Sequence, residues 1–466
     1  RAGSANFTAW TGAERPPNWL TVGGEISFYD SASADIATFT TYGTLGKDGD
    51  TFGNIVFHKS ATAFKGTFTN IGGTVSGGDG GNTQFYDNST AAYGVFKNYG
   101  GTHNKANGGD VAFDGNASGG FGNFYNYAAE TKGAYGGVTS FNNNKPETNG
   151  LGASAGNGCY HNYGARTKGA GGGHLRFSSI YGSANAANAT IFNYGSCVKD
   201  KSSAGNTSFS MKPNKNYYAT AGSCTIHNQA AESNTGAAGY TQFTVIAGYK
   251  NSKPVIPAAI KEGFIPTAGN ATIYNYGGKS KAVAGGYTEF NSTTTAGDAR
   301  IFTLGGADKG KGGRVTFSNT SRAGSARLIA EAGSEGGQGG QIIFADKSEG
   351  ESAQVQIAGN ATLDVSQHNG KLSFSILDVS DGCIISQLGG KTTSLHISVE
   401  LILRSRHTKF KFVQAAGKFK FNTKYTVLTC PNLSQFKAEQ FKGNSIEGVK
   451  PIFSIVGDSL KVEYRK

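Results

Sequence analysis

The residues of this chain that could take part in chemistry are mainly aromatic rings and cations. Glycoside cleavage would need two carboxylates flanking the scissile bond, and a metal centre would need histidines, cysteines or carboxylates at ligand spacing. The eight histidines form no i, i+2 or i, i+4 pair, and the five cysteines form no CxxC motif. Asp30, Asp87 and Asp346 share one position of a repeated pattern but lie far apart along the chain. We therefore predict no catalytic residue, no metal ligand and no cofactor.

Two groups of residues are candidates for ligand binding, because aromatic rings stack on sugars and on protein partners. The first group recurs at one outward-facing position of a repeated strand, in a series with His161 and His227: Tyr125, Phe192, Tyr274 and Phe302. The second group lies in insertions that also contain prolines: Tyr217, Tyr218, Tyr249, Lys250 and Phe264.

An internal repeat must position these residues. Eleven times, a glycine is followed four residues later by a phenylalanine. The phenylalanines are Phe28, Phe57, Phe85, Phe113, Phe141, Phe177, Phe209, Phe243, Phe290, Phe317 and Phe344. Two residues before each of them lies Ile, Val, Leu or Thr, and this period of two predicts a strand with one buried face. The glycine fits a corner that needs a positive φ or a close approach of two backbones.

A second strand follows, with an apolar anchor eleven residues after each of the first four phenylalanines. Two residues beyond the anchor an asparagine recurs at Asn70, Asn98, Asn126, Asn162, Asn193, Asn228 and Asn275. Amides repeated at one position predict a structural ladder in which each side chain hydrogen-bonds its neighbours.

A unit of about 28 residues with two or three short strands cannot bury its own core, whereas stacked units can. The sequence predicts an all-β fold, a right-handed parallel β-helix (β-solenoid) of about 11 recognisable rungs plus terminal rungs and a cap. We assign 1–21 to an N-terminal cap, 22–372 to the repeats and 373–466 to terminal rungs and a basic cap. Insertions near 142–158, 210–222 and 244–268 are expected to lie side by side at one corner.

Most of the net charge lies near the C-terminus. Residues 401–466 contain 13 Lys and Arg against 4 Asp and Glu, which gives +9 of the chain's +12. Lysine-rich strands protect an exposed sheet edge, and a basic patch also suits an acidic polysaccharide or an anionic surface. No nucleic-acid-binding motif accompanies the charge, and no apolar run reaches about 18 residues. We therefore predict no specific nucleic-acid partner and no membrane span.

The repeats resemble the Gly/Asn-rich units of bacterial autotransporter-passenger-like surface proteins. The matching stretches are FNSTTTAGDARI at 290–301, FSNTSRAGSARL at 317–328, the N-A-T-I or N-A-T-L runs that begin at Asn188, Asn270 and Asn360, and the segment 336–367. The resemblance covers roughly residues 20–370. It implies a β-solenoid exported to the bacterial surface, and because the family is functionally mixed it implies little about activity.

We therefore expect a secreted or cell-surface structural β-solenoid without catalytic activity, which acts as an adhesin, a matrix component or a filament-forming component. Its partners would be cell-surface glycans, acidic polysaccharide, or further copies of the chain in rods or fibres. The alternatives are a carbohydrate-active β-helix enzyme, either a polysaccharide lyase or a hydrolase, and a phage-tailspike-like glycan binder. Carboxylates clustered in a groove would favour the enzyme, and an aromatic surface would favour binding.

Overall fold

Short strands stacked in parallel make up most of the computed structural model. It describes residues 1–12, 23–45, 51–143, 152–179, 182–211, 217–246, 248–250, 253–255, 264–389, 394–415 and 417–466, with 143, 248–250 and 253–255 as backbone only. The chain divides into two compact units, Arg1–Ala271 and Thr272–Lys466. The boundary between the two units lies inside the predicted repeat region.

The described part of the first unit contains the following strands: β1 (Asn6–Ala9), β2 (Glu25–Phe28), β3 (Thr38–Thr41), β4 (Asn54–Phe57), β5 (Thr67–Asn70), β6 (Asn82–Phe85), β7 (Val95–Asn98), β8 (Asp110–Phe113), β9 (Asn123–Asn126), β10 (Val138–Asn143), β11 (Cys159–Asn162), β12 (His174–Ser179), β13 (Ala184–Asn185), β14 (Thr190–Asn193), β15 (Asn206–Met211), β16 (Ala219–Thr220), β17 (Thr225–Asn228), β18 (Tyr240–Val245), β19 (Gly248–Lys250) and β20 (Lys253–Val255). A 3₁₀ turn covers Lys201–Ser203.

Two parallel sheets form the coil of the first unit. The phenylalanine sheet has the order β2-β4-β6-β8-β10-β12-β15-β18. The asparagine sheet has the order β1-β3-β5-β7-β9-β11-β14-β17. Each strand pairs with the equivalent strand of the next turn of the coil, and we call one such turn a rung. This parallel pairing from rung to rung confirms the predicted parallel β-helix. Residues 1–12 contribute β1 to the asparagine sheet, whereas 13–22 of the predicted cap lie outside the described residues.

Two interlocking stacks of aromatic rings fill the core of this coil. Phe113 stacks on Phe85 and Phe141 with ring centroids 4.7 and 4.6 Å apart. A second stack from the asparagine sheet runs beside the first, and its Phe124 meets the edge of Phe113 at 5.8 Å. Phe113 and Phe124 are completely buried. In-register pairing therefore places like rings over one another on successive rungs.

The recurrent asparagines form a continuous amide ladder inside the first unit. Asn98 Nδ2 donates to Asn126 Oδ1, and Asn126 Nδ2 donates to Asn162 Oδ1, each at 2.8 Å. The hydroxyl of Thr139 donates to the same Asn126 Oδ1 at 2.9 Å. These side chains are fully buried, and the ladder provides the hydrogen bonds that their burial requires.

The recurrent glycines and aspartates have structural explanations. A Cβ built on Gly109 would overlap the carbonyl oxygen of Asn70, so this glycine permits close contact of two backbones, and its φ is not positive. Asp87, in contrast, has a φ of 57°, and its Oδ2 accepts the N–H of Lys59 on the preceding rung at 2.9 Å. Asp346 accepts the N–H of Asn319 in the same way. The shared position of the aspartates therefore reflects a repeated corner.

The insertions lengthen four consecutive strands of the phenylalanine sheet. Strands β10, β12, β15 and β18 each have six residues and pair in register. Beyond them, β13 pairs with β16, and β19 with β20 forms an antiparallel hairpin. The parts of these insertions at 144–151, 180–181, 212–216, 247, 251–252 and 256–263 lie outside the described residues.

The described part of the second unit contains these strands: β21 (Thr272–Asn275), β22 (Tyr287–Phe290), β23 (Arg300–Thr303), β24 (Arg314–Phe317), β25 (Arg327–Ala330), β26 (Gln341–Asp346), β27 (Gln354–Ala358), β28 (Thr362–His368), β29 (Leu372–Ser380), β30 (Cys383–Leu388), β31 (Leu395–Leu403), β32 (Thr408–Gln414), β33 (Tyr425–Thr429), β34 (Phe441–Gly443), β35 (Pro451–Val456) and β36 (Ser459–Tyr464). Short 3₁₀ turns cover Leu433–Gln435 and Ala438–Gln440.

The second unit repeats the parallel coil and then changes its pairing. Phe317 stacks between Phe290 and Phe344, with centroids 4.8 and 4.7 Å away. The parallel rungs continue to β33 in one sheet and to β34 in the other. Strand β36 then pairs antiparallel with both β33 and β35. This hairpin covers an edge of β33 that would otherwise be open to pairing with another chain.

Three lysines of the second unit share one outward surface, which we call the basic patch: Lys409, Lys411 and Lys442. Lys409 and Lys411 alternate with buried phenylalanines along β32, and Lys442 lies directly opposite Lys409 on β34. All three are exposed. Part of the positive charge predicted for this segment is therefore concentrated on the outward face of β32 and β34.

Replacing Phe113 with alanine should lower the free energy of unfolding by about 3–5 kcal/mol, because it leaves a ring-sized cavity between two stacks. Phe121→Ala is the matched control, because Phe121 is 53% exposed, and it should cost less than about 1 kcal/mol. Urea denaturation measures both values. A loss below about 1 kcal/mol for Phe113→Ala would contradict the stacked core.

Replacing Asn126 with alanine should lower the free energy of unfolding by about 2–4 kcal/mol, because Asn162 Oδ1 loses its donor and Asn98 Nδ2 loses an acceptor inside the core. Asn123→Ala on the same strand is the control, since Asn123 faces outward and is only half-buried. Equal stabilities of the two variants in urea would show that the ladder contributes no net stability.

Candidate ligand-binding groove

A ridge of glycine-rich return segments runs along the first unit. After each strand of the asparagine sheet, residues such as 99–109, 127–137 and 163–173 leave the coil before they rejoin the phenylalanine sheet. Successive returns are joined by backbone hydrogen bonds, among them Gly101 N to Tyr135 O at 2.9 Å and Ala129 N to Gly171 O at 2.8 Å. Small buried side chains pack between them, including Ala129 and Ala165. The ridge is therefore an ordered part of the fold.

Two rows of aromatic side chains lie on the outward face of the asparagine sheet, beside this ridge. The tyrosine row consists of Tyr99, Tyr127, Tyr163 and Tyr194. The mixed row consists of Tyr125, His161, Phe192 and His227. The first three residues of the mixed row lie on strands β9, β11 and β14 and His227 on β17, where successive side chains point to opposite faces. Each tyrosine directly follows the buried asparagine that ends its strand.

The rings of both rows are stacked face to face. In the tyrosine row the centroids are 4.8, 5.1 and 4.9 Å apart, and in the mixed row 5.0, 5.1 and 4.8 Å. The two rows also touch each other, with His161 6.1 Å from Tyr194 and 6.3 Å from Tyr163. Tyr99 is 39% exposed, and the other rings are half-buried. The result is an ordered aromatic surface that solvent can reach.

The tyrosine row forms the floor of a groove of about 910 Å³, which we call the tyrosine groove. The ridge supplies its wall, with Thr102, Glu130, Arg166, Thr167 and Glu232 among the lining residues. The four tyrosines span three rung steps of about 4.8 Å, or about 14 Å. This shape suits an extended ligand that lies along the coil.

The floor of the groove is uncharged near neutral pH. Burial raises the pKa of the Tyr127, Tyr163 and Tyr194 hydroxyls, and neighbouring phenols raise it further. Burial also lowers the pKa of His161, whose Nδ1 lies 3.1 Å from the Tyr194 hydroxyl. Charge enters at the rim, where Arg166 and Glu232 approach to 3.9 Å in an exposed pair. The groove therefore offers ring faces with hydroxyl groups at their edges.

The structure brings together only part of the candidate residues. Tyr125 and Phe192 lie in the mixed row, each stacked against His161. In the second unit, Tyr274 and Phe302 stack at 4.9 Å.

The candidates in the insertions form a less defined group. Tyr217, Tyr218 and Phe264 are half-buried, and Tyr218 meets Phe264 edge-on at 6.5 Å. Tyr249 and Lys250 belong to β19, but their side chains lie outside the described residues.

Sequence reasoning missed the tyrosine row. Its signal was present, because a tyrosine directly follows the ladder asparagine on four successive rungs. The ladder prediction places the asparagine in the core and assigns no role to the outward-facing residue that follows it. An inward-facing residue at the end of each strand places the next residue outward, so a column of asparagines inside predicts a column of residues outside.

Within the part of the chain that the structure describes, no group of three or more His, Cys, Asp or Glu could hold a metal ion. All five cysteines are free, and two of them, Cys224 and Cys430, are buried. Among the described residues, no helix has the length and apolar character needed to cross a membrane.

Comparisons with known proteins leave the chain unassigned to a family. It matches no protein-family model, and no curated protein matches it. The likeness to autotransporter passengers therefore depends on the repeat residues alone.

Proposed function

We propose that this protein is a non-catalytic β-solenoid of the bacterial cell surface or the extracellular matrix, which adheres to glycans through the tyrosine groove. The observation that carries this proposal is the row of four stacked, solvent-accessible tyrosines along the floor of that groove. Sugar rings present apolar C–H faces and peripheral hydroxyls. An aromatic floor matches the faces, and phenol hydroxyls at its edges match the peripheral groups.

The rigidity of the surface supports binding. The rows are held by backbone pairing on every rung, and each outward ring alternates with a buried residue. A preformed surface loses little conformational entropy when a ligand docks. The repeated spacing also lets one chain ligand contact several rings at once, so that weak contacts add along its length.

Export to the surface is the localisation that fits this activity. Its support is the resemblance of the repeats to autotransporter-passenger-like proteins, together with a ligand class that is abundant outside cells. Association of the chain with itself through the same aromatic rows would be the competing use of this surface, and the experiment below separates the two.

The basic patch supports a second partner class, acidic polysaccharide. Lys409 and Lys442 lie on adjacent strands and face the same side as Lys411. Like charges held this close attract a polyanion more strongly than the same charges spread over the surface. This contact would add to adhesion through the tyrosine groove.

The double variant Tyr127→Ala/Tyr163→Ala should lose at least tenfold in affinity for a neutral oligosaccharide that the unmodified protein binds, because it removes the two central rings of the floor. Titration calorimetry measures this loss. The control is Tyr93→Ala/Phe121→Ala, which removes another stacked and exposed pair, with rings 5.3 Å apart. Equal affinities of the two double variants would contradict the proposal.

Two further readouts test the competing functions on the same samples. Analytical ultracentrifugation should show the same mass for both double variants, whereas loss of assembly only in Tyr127→Ala/Tyr163→Ala would assign the surface to self-association. Incubation with the bound oligosaccharide should release no new reducing ends. Release of such ends would favour the carbohydrate-active enzyme.

Neutralising the basic patch with Lys409→Gln/Lys411→Gln/Lys442→Gln should weaken binding to alginate several-fold at low salt. In 1 M salt, where the Debye length is about 3 Å, binding should be largely lost even for the unmodified protein. The control is Lys281→Gln/Lys347→Gln/Lys437→Gln, which removes the same charge from exposed positions in three different segments of the same unit. Equal losses in the two triple variants would show that net charge, not the patch, governs binding.

A further inference from the structure

A second concavity lies on the other side of the ridge. This polar cleft, of about 600 Å³, is lined by the ridge and by the outward face of the phenylalanine sheet. Asp79, Asn107 and Tyr135 come from the return segments, whereas Asp110 and Arg176 come from β8 and β12. The ridge thus separates an aromatic groove from a cleft with a different chemistry.

Two side-chain oxygens of the cleft have no hydrogen-bond partner. Asn82 and Asp110 lie directly opposite each other on β6 and β8. The Oδ1 atom of each is inaccessible to solvent and is without a partner among the described residues. Buried acceptors without partners are unfavourable. Both oxygens lie beneath the surface of the cleft, so a ligand can contact only the other atoms of these two side chains.

Arg176 supplies the complementary donors. Its Nε donates to His174 Nδ1 at 3.0 Å, and His174 Nε2 lies 2.9 Å from Ser208 Oγ. Burial holds the pKa of His174 well below its usual range, and Arg176 lowers it further, so the imidazole is neutral. The terminal nitrogens of Arg176, which is exposed, have no partner among the described residues. The guanidinium is thus fixed at one end and free to donate at the other.

The cleft carries little net charge. Burial raises the pKa of Asp110 to about 7, although Arg176 lowers it. Asp79 accepts from Asn107 Nδ2 at 2.5 Å, and its charge is opposite to that of Arg176. An anion in the cleft would therefore be repelled by carboxylates, and a cation would be repelled by the guanidinium. An uncharged ligand with hydroxyl groups can accept hydrogen bonds from Arg176 and contact the part of the Asp110 side chain that lines the cleft.

We propose that the polar cleft binds a neutral saccharide unit, with its hydroxyls on Asp110 and Arg176 and a sugar face against Tyr135. Tyr135 is 55% exposed at the edge of the cleft, which leaves its ring available for stacking. This inference rests on the proposed glycan-binding function for the class of ligand, and it adds a second site that shares no lining residue with the tyrosine groove.

Titration calorimetry of the whole chain tests this site with a panel of disaccharides built from glucose, N-acetylglucosamine, xylose, mannose or galactose. In the Tyr127→Ala/Tyr163→Ala background, one site per chain should remain for a disaccharide of the panel. Adding Arg176→Met or Tyr135→Ala to that background should lower the affinity of the remaining site at least tenfold.

The matched controls are Gln242→Met, at the same outward position two rungs along the sheet, and Tyr29→Ala, at a residue that is 53% exposed. Both controls should stay within twofold, and thermal melting checks that each variant is folded.

The outcomes separate the two sites. If the unmodified protein binds a disaccharide and the double tyrosine variant binds none, the cleft proposal is overturned and the tyrosine groove stands. If binding survives the double tyrosine variant and is lost with Arg176→Met alone, the cleft proposal stands and the groove proposal fails. Absence of binding of the whole panel by the unmodified protein overturns the cleft proposal.

Discussion

In-register pairing of each strand with its equivalent one rung away is the constraint on which the first unit depends. It sets Phe113 on Phe85 and Asn126 on Asn98, so identical side chains meet at one separation. Rings then stack face to face, and each amide both donates to a neighbour and accepts from one. A shift by a single residue would turn the buried rings outward and break both series at once. Backbone pairing and side-chain stacking therefore specify the same register.

The same constraint organises the outer surface. Because alternate residues of a strand face opposite ways, a stack of like residues inside is accompanied by a column of residues outside. Tyr127 and Tyr163 stack because Asn126 and Asn162, which directly precede them, are paired in register on adjacent strands. The backbone register that aligns the asparagines therefore also aligns the tyrosines. The glycines of the returns allow the ridge to pack closely enough to wall the groove. Binding surfaces in this protein are thus a consequence of how its core repeats.

The features predictable from sequence were those that repeat in it. The glycine-to-phenylalanine spacing predicted the parallel β-helix, and the asparagine series marked the positions where the ladder is found. The chemistry of the two concavities was harder to predict, because each combines the sheet with returns from neighbouring rungs. Asp79 and Arg176 are far apart in sequence and share no repeat position, yet both line the polar cleft. The tyrosine row was predictable in principle, since each tyrosine directly follows a ladder asparagine.

The most direct test of the central claim is a fluorine NMR titration of the whole chain labelled with 3-fluorotyrosine. An oligosaccharide bound along the coil should shift the signals of Tyr99, Tyr127, Tyr163 and Tyr194 together, because the in-register stack presents them as one surface. The signal of Tyr93, whose exposed ring stacks on Phe121 outside the groove, should stay unchanged. Shifts of Tyr93 without shifts of the four groove tyrosines would contradict the account.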